Sequence, residues 1–153
     1  MRLYAITGMR YAPKVALTKA LASALASAGQ RVMLFDNTEQ PIALDDTARQ
    51  RFAAGCVCCS LAASLIPAVW NADCDAALLP VGAAADPEML AHVLATIQNT
   101  RVQATTLALI DDHTRQHAAY AAKRLAFYAD SVFYEPFEVD AMVRSLGLAT
   151  TSP

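Results

Sequence analysis

Three of the four cysteines in this chain fall within four residues, in the run Gly55-Cys56-Val57-Cys58-Cys59-Ser60. Thiols so close in sequence make poor structural disulfides, because a bridge needs Cα atoms roughly 5.5–6 Å apart and suitably directed Cβ vectors. They can instead converge on one soft ion. In an extended segment Cys56 and Cys58 point to the same side, and a bend at Cys59 brings the third sulfur round. Three thiolates make a trigonal or incomplete tetrahedral site suited to Zn(II), Cu(I) or another thiophilic ion. Ser60 reads as the N-cap of a helix through Leu61-Ala62-Ala63-Ser64-Leu65-Ile66, whose positive end lowers the pKa of neighbouring thiols and favours the metal-binding thiolate. The competing reading is a set of small buried hydrophobes. The tight spacing beside a glycine favours the metal.

A structural zinc takes a fourth donor. Cys74 is chemically the cheapest, although it precedes an apolar run and also reads as interior. His113 and His117 stand four apart at a helix start and share a face, with Asp111 and Asp112 beside them. Two imidazoles at that spacing can chelate a divalent ion, but exposed histidines four apart also occur by chance, and a solvated helix start is the favoured reading. His92 reads as solvent-facing and Trp70 as core. Asp36 and Asp111 close strands, where each can hold a metal-bound water or cap a turn. Glu39 is a further oxygen donor. No Ser/His/Asp set or carboxylate pair stands out.

The elements that must position these groups come from a chain of 153 residues, the size of one ordinary domain. Apolar residues make up 56% of it, charged residues 17%, and the formal net charge is −2. No basic cluster exceeds Lys123-Arg124, which argues against nucleic acid or an anionic membrane as partner. Met1 to Gly8 is too soon interrupted for a signal peptide, and no run approaches the roughly 18 apolar residues of a membrane span. The expected compartment is the cytoplasm, whose reducing conditions keep thiols available.

Along the chain, Leu3–Thr7 reads as a buried strand. A helix follows, with Pro13 in its first turn, Leu17, Leu21, Ala24, Leu25 and Ala28 on its inner face, and Gly29 after its end. Arg31–Phe35 is a second strand, 36–41 a polar turn and 45–52 a short helix. Pro67 implies a kink or early stop near Ile66. Asp75–Leu79 is a strand closed by Pro80. Asp86-Pro87-Glu88 opens a helix with inward Leu90, Val93, Leu94 and Ile97. Val102–Ile110 is a strand, Ala118, Ala121, Ala122 and Leu125 mark a helix, and Ser131–Tyr134 is a strand. Val139, Met142, Val143 and Leu146 give a last helix before Gly147. This alternation predicts a three-layer α/β domain with a mainly parallel sheet over residues 1–148 and a frayed tail at 149–153. Sites in such sheets lie beyond the carboxyl ends of strands, where Gly8, Asp36, Pro80 and Asp111 fall.

In this order the chain resembles the CobW/HypB/UreG class of P-loop GTPases, specifically the CobW-like metallochaperones. Thr7-Gly8-Met9-Arg10-Tyr11-Ala12-Pro13-Lys14-Val15-Ala16 stands where that family has TGFLGAGKTT. Gly55-Cys56-Val57-Cys58-Cys59 is similar to its GC[IV]CC motif. Ala83-Ala84-Ala85-Asp86-Pro87 resembles the GLADP turn, and Leu109-Ile110-Asp111 the VDA strand end. Ala129–Tyr134 resembles the strand leading to the NKxD base motif. The similarity runs from Arg2 to about Asp140, and the family's additional C-terminal domain has no counterpart here. The resemblance implies a P-loop NTPase-like fold, a metal ion as cargo, a metal-accepting protein partner and pairing into a homodimer.

The departures carry as much information. A working phosphate loop, GxxxxGK[ST], wraps phosphates with backbone N–H groups and holds Mg²⁺ with a hydroxyl. Gly8 and Lys14 remain as residual cofactor-binding positions, and an exposed lysine in the first turn of a helix explains Lys14 equally. Tyr11 and Pro13 replace loop glycines, and Val15 replaces the hydroxyl. Asn37-Thr38-Glu39-Gln40-Pro41 replaces NEFGE, Pro80 stands for a glutamate, and Glu135-Pro136-Phe137-Glu138 replaces NKxD. The expected protein is a pseudo-GTPase with an intact CxCC motif, carrying Zn or Cu(I) for delivery, storage or sensing, with GTP and Mg²⁺ absent from its chemistry. The alternatives are a divergent but active GTP/ATP-binding hydrolase, and a regulatory subunit that docks to an active relative.

Overall fold

A computed structural model describes residues 1–53 and 59–150. Cys56 and Cys58 lie outside the described residues, as do the side chains of Cys59 and Ser60 and the last three residues of the expected tail.

The strands are β1 (Arg2–Gly8), β2 (Val32–Asp36), β3 (Ala48–Arg51), β4 (Ala76–Pro80), β5 (Gln103–Ile110) and β6 (Ser131–Tyr134). They form one six-stranded sheet in the order β3-β2-β4-β1-β5-β6, and every pairing is parallel. The helices are α1 (Tyr11–Ser27), α2 (Cys59–Asn71), α3 (Pro87–Ile97), α4 (Asp112–His117), α5 (Ala119–Phe127) and α6 (Val139–Ser145). This is the three-layer α/β architecture that the alternation of strands and helices predicts.

Side-chain parity builds the two cores. Leu3 and Ala5 of β1 join Ala77 and Leu79 of β4 on one face, under Leu65 and Val69 of α2 and Leu90 and Leu94 of α3. Tyr4 and Ile6 join Leu78 and Leu107 on the other, under Leu17, Leu21 and Leu25 of α1 and Met142 and Val143 of α6. Strands covered on both faces must be apolar at successive positions, which is why β1 and β4 read as unbroken apolar runs. Asp86 caps α3 as its sequence implies, accepting from the Glu88 amide at 3.0 Å and the Met89 amide at 3.1 Å.

Four expectations are corrected. Residues 45–52 form no helix: after a turn with Asp46 at positive φ they enter edge strand β3, all of whose residues are exposed. Pairing with Met33–Asp36 overrides the helical preference of Ala, Arg and Gln there. α2 does not stop near Ile66 but runs through Pro67 to Asn71. Ala63, whose carbonyl loses its partner, and Pro67 are both exposed, so the freed group faces solvent rather than the core. Ser60 is already helical, one residue into α2, rather than its cap. Trp70 is 43% exposed and rests on the surface, its indole N–H donating to the Ile97 carbonyl at 3.0 Å. The helix expected around Ala118–Leu125 is α5, with Ala122 and Leu125 buried, and the short α4 stands before it.

Candidate functional site

Gly8, Asp36, Pro80 and Asp111 all stand at the carboxyl edge of the sheet, where the fold leaves room for a ligand. The geometry at Lys14 overturns its solvent-facing reading: it is 0% exposed, and its ammonium donates to the Val81 carbonyl at 2.8 Å. The cause lies in the backbone. Only Met9 and Arg10 connect β1 to α1, and the helix already begins at Tyr11, so Lys14 is the fourth helical residue. A phosphate cradle needs a run of non-helical backbone N–H groups before its lysine; here that stretch is wound into helix. Burial pushes the Lys14 pKa down, partly offset by the negative charge of Glu39.

Gly8 survives for a reason independent of phosphate. Its φ is +149°, and a Cβ there would stand 2.6 Å from the Leu109 carbonyl oxygen of the neighbouring strand.

The turn after β2 is closed by its own side chains. The Asp36 carboxylate accepts from the Thr38 amide (2.9 Å), the Thr38 hydroxyl (2.6 Å) and the Ile42 amide (2.8 Å), and pairs with Arg51 at 3.0 Å. Every one of these donors is internal, so Asp36 serves the turn and not a metal-bound water. Glu39 accepts the Ala83 amide. Burial works to raise its pKa, but that hydrogen bond, one from its own amide and the charges of Lys14 and Arg51 together hold it below the usual range. Asn37 donates to the Ala53 carbonyl at 2.7 Å, at the entrance to the cysteine segment. Its buried Oδ1 has no partner among the described residues.

Along the same edge lies a cavity of about 260 Å³, bordered by Thr7, Gly8, Gly82, Ala84, Tyr120 and Arg124. Its charges are matched in place: the Arg124 guanidinium forks onto Asp86 at 2.6 and 3.2 Å and reaches Glu88 at 3.4 Å.

The candidate metal donors do not all meet. Cys59 begins α2, and Cys74 follows the end of that helix, so about 18 Å of helical rise separates the two ends. Cys74 therefore sits at the amino edge of the sheet, with its Sγ 3.1 Å from Met1 Sδ and its thiol pKa raised by burial. His113 and His117 do come together: their rings are 4.6 Å apart between centroids and tilted by 40°. Both are exposed, as is His92. Asp111 caps α4, accepting from the Thr114 amide at 2.9 Å and hydroxyl at 2.6 Å, and Asp112 pairs with Arg115 at 2.6 Å. Among the described residues no group of three or more His, Cys, Asp and Glu side chains could hold a metal ion. The burial of Lys14 and the Asp36–Thr38–Ile42 closure are what sequence reasoning missed. The signal for the first was Pro13, which suits a first helical turn.

By fold the chain is a P-loop NTPase-like α/β domain. No protein-family description matches the sequence, and no curated protein does. Among solved structures it is similar to the signal recognition particle receptor FtsY from Elizabethkingia anophelis, with a TM-score of 0.54 and 18% identity. That likeness covers 87% of this chain and 48% of FtsY, so the chain spans about half the length of the receptor. At this identity the likeness is one of fold; it does not single out the CobW class. No described helix is long and apolar enough to cross a membrane.

Proposed function

We propose that this domain is a CobW-like pseudo-GTPase: a P-loop fold that handles no nucleotide and carries a thiophilic ion, Zn(II) or Cu(I), through Cys56, Cys58 and Cys59. The observation that carries the reading is the Lys14–Val81 hydrogen bond at 2.8 Å in a site closed to solvent. The lysine that would meet phosphate is spent on the backbone, while the cluster of three thiols is whole in the sequence. The loss of the hydroxyl at Val15 supports the same reading, because Mg²⁺ then has no side-chain ligand in the loop.

The chemistry is ligand exchange. Three thiolates leave a coordination position open, so an incoming donor on a metal-accepting protein can bind before a thiolate leaves. With no hydrolysis to drive release, the direction of transfer follows relative affinity. A reducing cytoplasm keeps the thiols available, and pairing into a homodimer would bring two such segments within reach of a shared partner.

Isothermal titration with GTP and ATP in the presence of Mg²⁺ tests the nucleotide half, and no saturable heat is expected. Micromolar, magnesium-dependent binding contradicts it and favours the divergent hydrolase. Native mass spectrometry tests the metal half: a metal-free chain whose partner affinity ignores Cys56→Ser favours the docking subunit.

A further inference from the structure

We propose that His113 and His117 form a second metal site, a two-imidazole chelate for a borderline divalent ion such as Zn(II), Ni(II) or Cu(II), independent of the cysteine segment.

The geometry of the pair is close to what chelation needs. Two imidazoles binding one tetrahedral ion with metal–nitrogen bonds of about 2.1 Å have their centroids roughly 5.3 Å apart. The observed separation is 4.6 Å, with the rings tilted rather than stacked flat. The two rings are therefore within a side-chain adjustment of that separation, and the backbone need not move.

The backbone under the pair is fixed. Asp111 caps the first turn of α4 through Thr114, and the Arg115 and Ala118 amides donate to the Asp111 and Thr114 carbonyls at 3.0 and 2.8 Å. One turn of helix thus holds the two rings on one face. The neighbouring cation is already neutralised, because Arg115 is paired with Asp112 at 2.6 Å. Both rings are exposed, so an ion has access and water can complete its coordination.

The pair lies beyond β5, and β3, the last described strand before the cysteine run, stands four strand positions away in the sheet order, or about 19 Å. Ligand class separates them as well, since imidazole suits Zn, Ni and Cu(II) where thiolates also select Cu(I). A two-donor surface chelate leaves coordination positions open and so exchanges its ion more readily than a closed site.

The test is isothermal titration of Zn(II) into the full chain carrying Cys56→Ser, Cys58→Ser and Cys59→Ser, so that thiolates do not compete. Imidazole ¹⁵N shifts are followed in parallel. The expected result is about one ion per chain, with His113 and His117 signals moving together. His113→Ala or His117→Ala should each weaken binding at least about tenfold, while His92→Ala leaves it unchanged. Equal binding in His113→Ala, or no shift of either ring at millimolar Zn(II), overturns the proposal. If the thiol-free chain does not fold, the same shifts are read in the wild-type chain after one equivalent of Zn(II) has been taken up. Failure here leaves the thiolate reading intact, because that site is read with these two histidines replaced.

Discussion

Lys14 and Val81 are joined ammonium to carbonyl at 2.8 Å, across the gap between α1 and the end of β4, with no solvent access to the lysine. Burying a cation with a single neutral acceptor disfavours its charged form, and this sets a pH signature for the whole fold. The folded-state pKa lies below the ordinary value of 10.5, so between those two values the unfolded chain binds more protons than the folded one. Stability attributable to Lys14 therefore rises with pH through that window. Urea unfolding of the wild type and Lys14→Met from pH 7 to pH 10 should show the difference moving in favour of the wild type. A flat difference contradicts the burial of a charged lysine.

Asp86 links the cap of α3 to α5 through Arg124. Asp86→Ala should cost about 1–2 kcal/mol at neutral pH, from the lost cap, whereas Asp86→Asn keeps a capping oxygen and should cost less. Its carboxyl is held below the ordinary 3.8, first by the Arg124 hydrogen bond and then by the Met89 amide. That contribution is complete above the ordinary value and is lost as pH falls through the depressed one. The deficit of Asp86→Ala should accordingly be constant above about pH 5 and shrink in acid, as followed by urea midpoints at stepped pH.

How much of this was legible in the sequence depends on whether a local signal and the tertiary context agree. The strand parity of Leu3–Thr7 and the Asp86-Pro87 helix start were readable because burial and capping act over a few residues. Strand β3 was not, since Ala48, Arg49 and Gln50 prefer helix on their own and become strand only by pairing with β2 and anchoring Arg51 on Asp36. Lys14 misled for a related reason. A lysine at that motif position reads as a phosphate contact or as solvated. Its burial follows from the early start of α1 at Tyr11, a property of the connection and not of the residue. Of the candidate donors, the His113–His117 contact follows from helical spacing alone, whereas the remoteness of Cys74 follows from α2 running on past Pro67.

Gly8 and Gly147 offer a paired test of what their glycines do. At Gly147 (φ +75°) a Cβ meets nothing within 4 Å, so Gly147→Ala should cost only the left-handed strain, about 1–2 kcal/mol. At Gly8 the same change adds an overlap with the Leu109 carbonyl between two central strands. Gly8→Ala should lower the urea midpoint clearly further, and equal effects at the two positions would contradict the tight β1–β5 approach.

The central claim is that the cysteine run holds metal in a fold that handles no nucleotide. Its most direct measurement is elemental analysis of the untagged His113→Ala/His117→Ala chain, dialysed against limiting Zn(II) under reducing conditions. The account predicts about one ion per chain, lost when Cys56, Cys58 and Cys59 are replaced by serine. An unchanged metal content after that replacement, or none before it, contradicts the account.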